Sequence, residues 1–269
     1  MIGRRLSAMF PPSMRLRRLV LLLPVLLLAA CSHVVGDVTY GKSAEDDYRA
    51  GEEAARKHSY AEANKFFEHV RNKYPFSRYA ALAELRLADL KFDQDRFLEA
   101  AEAYQAFVRL HPSHEDVGYA AYRAGLSHWK EGPSDFFVLP PSFERDPVQA
   151  RDTVKALEEF ATRYPNSKYA ADAAKVLGEA RQRLIDHEWY AAEFYSKRRH
   201  WAGAAGRLEG IVKNYPGSTR EPEALLELAG LYVKMDERFR AQQALQQLIV
   251  KHPQDPRRAD AEKMLASLR

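Results

Sequence analysis

The 269-residue sequence predicts an all-α solenoid of five helix pairs with a C-terminal capping helix, and three observations predict it. First, five apolar-periodic runs end in the same way, at Lys73-Tyr74-Pro75, Leu110-His111-Pro112, Arg163-Tyr164-Pro165, Asn214-Tyr215-Pro216 and Lys251-His252-Pro253. Second, aligning the prolines brings large apolar residues into register. Eight positions before them stand Phe67, Tyr104, Leu157, Leu208 and Leu245, and five before stand Val70, Phe107, Phe160, Ile211 and Leu248. Third, alanine comes eight positions after every proline, at Ala83, Ala120, Ala173, Ala224 and Ala261.

A step of three residues puts two large side chains on one helical face, and a small residue on the next helix lets its backbone approach that face closely. Each proline ends the helix before it, because it lacks an amide donor and restricts the preceding residue. Two residues later Ser77, Ser167 and Ser218, with Asp255 in the last copy, are placed to cap the following helix. His114 takes that place in the second copy, which passes the cap to Ser113. The proline spacings are 37, 53, 51 and 37 residues. The short ones lie near the roughly 34-residue tetratricopeptide period, and the long ones each hold an insertion of about half a hairpin. The reading is a tetratricopeptide-repeat-like stack that carries a groove rather than a closed pocket.

In chain order, the first pair uses about Ser43 to Lys57 and Tyr60 to Lys73, with Ser43 as cap and Glu45 and Asp46 in the first turn. The second uses Ser77 to Phe92 and Asp95 to Leu110. In these two copies an aromatic and an alanine, Tyr60 with Ala63 and Phe97 with Ala100, form the seam between paired helices. The third pair starts with His114 to Lys130 and then breaks. Residues 131–147 hold Gly132, Pro133, Pro140, Pro141 and Pro147, which forbid a continuous helix. Phe136, Phe137, Val138, Leu139 and Phe143 make this insertion apolar, so it either folds over the groove and packs there or meets a partner. Val148 to Arg163 resumes the pair. A long helix from Ser167 to Lys197 then accounts for the 51-residue spacing and offers a rigid ledge, with Gly178 weakening it without ending it. Trp201 to Asn214, Ser218 to Lys234 and Glu237 to Lys251 complete the array. A final helix from Pro256 to Leu268 caps it with Met264, Leu265 and Leu268.

The N-terminus is of a different kind. Arg4, Arg5, Arg15, Arg17 and Arg18 precede the apolar run Leu19 to Ala30. Twelve residues at about 1.5 Å each fall short of the roughly 30 Å of a bilayer core, so an export signal is expected in residues 1–30, starting from Met1 or Met14. The run closes as Leu28-Ala29-Ala30-Cys31, which resembles a bacterial lipoprotein signal, and Cys31 is the only cysteine. Lipidation is its expected use; an ordinary cleavage near Ala30 would leave a chance cysteine. A thioether-linked diacylglycerol plus an N-acyl chain such as palmitate suffices for stable anchoring. Ser32 resembles an outer-membrane address, and residues 31–42 read as the lipidated cysteine and a short tether. Without residues 1–30 the chain has 36 basic and 37 acidic residues, so its formal charge of +4 belongs to targeting and gives no support to nucleic-acid binding.

The residues offer little for catalysis. His111 and His114 have a metal-compatible spacing that Pro112 interrupts, and His187-Glu188 lacks a second histidine at zinc-protease spacing. Asp89, Asp93 and Asp95 lack a calcium-loop pattern and read as a polar helix boundary. No Gly-x-Ser-x-Gly elbow, phosphate-binding glycine loop or dinucleotide fingerprint occurs, so neither an enzyme nor a cofactor or metal is expected. Tyr74, Tyr164 and Tyr215 are expected to pack in the turns. Tyr119, Tyr122, Trp129, Tyr190 and Tyr195 are expected in the core or as aromatic contacts to a peptide.

Several ordered pieces carry a family resemblance: Tyr74-Pro75-Phe76, Tyr122-Arg123-Ala124-Gly125-Leu126, Arg145-Asp146-Pro147, Tyr164-Pro165-Asn166-Ser167, Ala191-Ala192-Glu193-Phe194-Tyr195 and Arg207-Leu208-Glu209-Gly210. With the Cys31 signal, they make the chain similar to the BamD/ComL family of outer-membrane assembly lipoproteins. The resemblance implies a non-enzymatic, lipid-anchored scaffold on the periplasmic side of the outer membrane, within the β-barrel assembly machinery. Its expected partners are the periplasmic domain of the central barrel subunit, accessory assembly lipoproteins and unfolded outer-membrane proteins. Another tetratricopeptide lipoprotein scaffold of envelope biogenesis is the alternative. On this reading residues 43–130 carry a substrate-facing groove with Tyr60, Phe66, Tyr79 and Arg86. Residues 148–269 dock the barrel subunit through Arg207, with Glu193, Tyr195 and Glu209 beside it. The residues around Phe137 to Asp146 depart from the usual family insertion by their prolines.

Overall fold

The computed structural model describes residues 38–133 and 140–268. Cys31, the expected export signal, most of the expected tether and Phe136, Phe137, Val138 and Leu139 of the insertion lie outside the described residues. The chain divides into two compact units, 1–40 and 41–269, and the second holds all the described helices.

Among the described residues the structure is helical without strands. Five pairs follow in order: α1 (Ala44–Arg56) with α2 (Tyr60–Lys73), α3 (Arg78–Asp93) with α4 (Phe97–Leu110), α5 (Val117–Glu131) with α6 (Val148–Arg163), α7 (Ala170–Lys197) with α8 (Trp201–Asn214), and α9 (Glu221–Lys234) with α10 (Arg238–Lys251). A final helix, α11 (Arg258–Ser267), packs on α10. Each helix packs on its neighbours in sequence, which is the arrangement of a tetratricopeptide-like solenoid. Alternate helices also meet, α1 with α3 and α5 with α7.

The aligned positions build the core. All fifteen residues of the three registers are at most 4% exposed, from Phe67, Tyr104 and Leu245 at 0% to Leu208 at 4%. The small seam position extends beyond the first two copies: Ala63, Ala100, Thr153, Ala204 and Ala241 are all at 0%. Thr153 fits there because its hydroxyl donates to the Gln149 carbonyl at 2.7 Å. A further small position faces the large residue eight before the proline. A Cβ on Gly51 would stand 2.7 Å from the Phe67 ring, and one on Gly125 would stand 2.4 Å from Leu157 Cδ2. Only hydrogen at these places lets the paired helices reach their observed distance.

Two kinds of turn alternate. Within pairs, three residues link α1–α2, α3–α4, α7–α8 and α9–α10, and the middle one is left-handed: His58 (φ 57°), Asp95 (57°), Arg199 (61°) and Asp236 (59°). In each, two amides return to the end of the preceding helix, as Ser59 N to Ala54 O and His58 N to Ala55 O show. This is the Schellman arrangement, made here without glycine. Between pairs, the residue two after proline accepts the amide two further on. Ser77 takes Tyr79 N (3.1 Å), Ser167 takes Tyr169 N (3.3 Å), and Asp255 takes Arg257 N (2.9 Å).

The second copy corrects the expected cap at Ser113. His114 Nδ1 itself accepts from Asp116 N at 3.1 Å, since an imidazole nitrogen can replace a hydroxyl oxygen as acceptor. Ser218 also departs from expectation. Glu221 accepts Gly217 N at 2.5 Å, and the Ser218 hydroxyl takes no hydrogen-bond partner among the described residues. Helices α5, α7 and α9 start about three residues later than the serine positions imply, because a separate turn intervenes.

The 28-residue helix α7 is about 42 Å long at 1.5 Å per residue. Ala173, Val176 and Leu177 join the cluster around Leu157 and Phe160, whereas Ile185, Trp189 and Ala192 join the next one. One rigid rod therefore links two clusters. The described end of the insertion is the 3₁₀ turn Ser142–Glu144, which packs on α7. His187 Nδ1 bonds the Phe143 carbonyl oxygen at 2.7 Å, and the Phe143 and Tyr190 rings lie 5.9 Å apart.

Candidate functional site

Two polar and aromatic constellations stand out, one on the first helices of the N-terminal pairs and one around α7 and α8. The first begins in the core. At its proline-minus-eight position the second repeat carries Tyr104, whose buried hydroxyl needs an acceptor. Asp89 on α3 supplies it at 2.5 Å, and the same oxygen accepts from the Tyr119 hydroxyl at 2.8 Å. The other oxygen of Asp89 accepts from Arg86 Nη1 at 2.9 Å. Arg86 also reaches Glu52 on α1, 2.8 Å from Nε. Arg123 on α5 donates to the Tyr104 hydroxyl at 3.1 Å and lies over the Phe92 ring, 3.7 Å from its centroid.

The charges are held by their surroundings. Burial, with Asp89 alongside, pushes the Tyr104 and Tyr119 hydroxyls well above the ordinary tyrosine range, so both stay protonated donors. Burial works against the Arg86 charge, but hydrogen bonds to Asp89 and Tyr48 and the nearby Glu52 outweigh it and keep the guanidinium ionised. Burial also raises Tyr48, and Arg86 opposes that rise.

Of the residues expected to face substrate, Tyr79 and Arg86 come together through Tyr48. The Tyr48 and Tyr79 rings are 5.4 Å apart, and Tyr48 shares a hydrogen bond with Arg86. Tyr60 begins α2, with its hydroxyl 2.8 Å from His58 Nδ1. The 14 residues of α2 put Tyr60 about 20 Å from the end where Tyr79 stands. Phe66 is buried at 6% exposure and belongs to the interior. Farther along, Tyr122 stacks on Tyr169, with centroids 5.3 Å apart and planes within 5°.

The second constellation contains the residues expected to dock a partner. Arg207 on α8 donates to Glu188 on α7 at 3.2 Å and lies 6.0 Å from the Tyr195 centroid, with its side chain 41% exposed. It makes an intrachain ion pair and still presents a face to solvent. The bond to Glu188 strengthens its charge against partial burial. Tyr195 packs on the backbone at Gly203, where a Cβ would come within 3.2 Å of the ring. Glu193 accepts from Trp189 Nε1 at 3.0 Å and from Lys197 at 3.1 Å. Glu209 lies toward the next pair, accepting from the Tyr232 hydroxyl and from Arg240, each at 2.6 Å. The structure thus joins Arg207 with Tyr195 and gives Glu193 and Glu209 separate partners.

No group of three or more His, Cys, Asp or Glu among the described residues is arranged to hold a metal ion. His111 bonds Glu84 at 2.7 Å, and its ring is 6.5 Å from that of His114. Asp89 reads in the sequence as part of a polar helix boundary, whereas the structure makes it a buried centre. The signal for that role is a tyrosine at a position where the other repeats have Phe or Leu, with an aspartate fifteen residues earlier.

Comparison with known proteins places these clusters in a family context. A family model described as an outer membrane lipoprotein, YfiO, matches residues 41–248 and so spans both constellations. A protein of Neisseria gonorrhoeae named outer membrane protein assembly factor BamD is 32% identical over 223 residues, covering 81% of this chain and 83% of that one. A BamD of Neisseria meningitidis serogroup A is 33% identical over 196 residues, 71% of this chain and 73% of the other. One from Xylella fastidiosa is 28% identical over 222 residues, 80% of this chain and 75% of its own. The chain belongs to the BamD/YfiO family of outer-membrane lipoproteins.

Proposed function

We propose that this chain is a non-enzymatic scaffold of the β-barrel assembly machinery, anchored through lipid on Cys31 at the periplasmic side of the outer membrane. Its C-terminal repeats dock the periplasmic domain of the central barrel subunit, and its N-terminal repeats hold unfolded outer-membrane proteins. Accessory lipoproteins join the same array. The observation that carries this reading is the family match across 41–248. The partly exposed Arg207 and the Tyr48–Tyr79–Arg86 group are consistent with it.

The mechanism is one of position. Arg207 is fixed by Glu188, so a partner carboxylate meets a guanidinium whose rotamer freedom is already spent, which lowers the entropic cost of a charge-assisted contact. A substrate segment held by the N-terminal repeats stays at high effective concentration beside the barrel subunit without any bond being made or broken.

Titration of the lipid-free chain with the purified periplasmic domain of the central barrel subunit tests the docking. Arg207→Glu is expected to weaken affinity by roughly tenfold or more, about 1.4 kcal/mol, with unchanged helicity by circular dichroism. Equal affinities would remove Arg207 from the interface, and no affinity in the wild type would favour a different envelope scaffold. Cys31→Ala is expected to move the protein from the membrane to the soluble fraction, and mass spectrometry of the wild type should find acyl chains on Cys31. An unmodified Cys31 in the mature chain would end the anchoring proposal.

A further inference from the structure

A groove of about 700 Å³ runs between α7 and α9, with the 3₁₀ turn along one side. Its volume lies within the usual range of ligand pockets. Trp189, Tyr190 and Phe143 give it aromatic walls, and Tyr190 is 37% exposed. Its charge is one-sided: among the described residues Arg220 is the only basic side chain lining it, against five carboxylates.

Arg220 shows what these walls accept. Its guanidinium lies over the Trp189 ring, 4.7 Å from the centroid, with Asp186 at 3.4 Å and Glu223 at 3.3 Å. Glu193 is held by Trp189 and Lys197. Glu144 and Glu227 also line the groove, and their carboxylates have no hydrogen bond or ion pair among the described residues. Aromatic faces and unpaired carboxylates around one open space suit a desolvated ammonium or guanidinium group, through ring attraction and charge together.

We propose that this groove receives an extended peptide segment bearing lysine or arginine from a partner protein, with Glu144 and Glu227 pairing its cations and Tyr190 covering their stems. The assignment rests on reading the C-terminal repeats as a docking region, and it adds a second contact there. Arg207 does not line the groove and has the opposite charge preference. The two contacts therefore fail independently.

The test uses fluorescence anisotropy with the full mature chain. The probes are a labelled nonapeptide carrying alternating Arg and Lys in a Gly-Ser background and its twin with glutamine at those positions. The cationic peptide is expected to bind roughly tenfold more tightly than the twin. Glu144→Gln combined with Glu227→Gln should lower that affinity roughly fivefold or more while thermal stability is kept, because both side chains are exposed and unpaired among the described residues. Arg207→Glu should retain peptide binding even where it loses the barrel-subunit domain. Equal binding of the two peptides would overturn the proposal. So would a double glutamine variant that binds the cationic peptide as the wild type does, since attraction would then belong to the surface at large.

Discussion

The carboxylate of Asp89 shows how one polar atom in a repeat core reorganises its surroundings. Tyr104 stands where other copies have Phe67, Leu157, Leu208 and Leu245, and its hydroxyl imports the need for an acceptor. Asp89 meets that need and itself requires Arg86 and Tyr119. Tyr104→Phe is expected to cost about 1–2 kcal/mol in thermal or urea unfolding, because Asp89 loses a donor inside the core. Since the folded state raises the Tyr104 and Tyr119 values, these groups contribute stability that is fully present below about pH 10, the unfolded tyrosine value, and is lost as pH rises above it. Tyr104→Phe should flatten that alkaline loss, and an unchanged pH profile would contradict the assignment.

Two glycines give opposite expectations at the same scale. Gly178, in the middle of α7, has nothing within 4 Å of an added Cβ, so Gly178→Ala should stabilise by about 1 kcal/mol through helix propensity. Gly125→Ala gains the same propensity but drives a methyl into the buried Leu157. Overpacking of about 1–3 kcal/mol should leave that variant less stable than wild type. Denaturation midpoints of the pair check both signs.

At the scale of elements, the four three-residue turns place a non-glycine residue in the left-handed region, where L-residues are strained by roughly 1–2 kcal/mol. Aspartate tolerates this better than arginine does. The exposed Arg199, with φ 61°, makes no side-chain hydrogen bond, ion pair or ring contact among the described residues that would compensate. Arg199→Gly should therefore raise stability by about 1 kcal/mol, after subtracting glycine's extra freedom in the unfolded chain. A lower melting temperature would show that the turn is held by something other than backbone preference. Helix α7 is the other informative element, because its length lets one helix serve two clusters that would otherwise meet only through loops.

At the scale of the whole repeat unit, stability passes from neighbour to neighbour, since helices contact chiefly those adjacent in sequence. Helix α11 closes the C-terminal end by laying Ala261, Met264, Leu265 and Leu268 on the last cluster. Ending the chain before Arg258 should expose that cluster. Hydrogen exchange is expected to lose protection in α9 and α10 while α1 to α6 keep theirs. A uniform loss along the array would mean that the unit unfolds as a single cooperative body, contrary to a linear stack.

The proline register settled most of the architecture from the sequence alone. Prolines and helical periodicity act locally, so five pairs, their seams and the capping helix were legible before any contact was known, to within about three residues. Family membership was legible for a related reason: its motifs are short ordered strings at turns and seams. Tertiary structure alone decided which polar side chains meet. Asp89 reaches Tyr104 and Tyr119 across 15 and 30 residues, Arg207 reaches Glu188 across 19, and the aromatic groove beside Trp189 joins residues from Phe143 to Leu231. Such pairings depend on how far each pair is shifted and turned against the next. That geometry is set by side-chain volume at packed seams such as Gly51 and Gly125, to which a pattern of apolar and polar letters is blind.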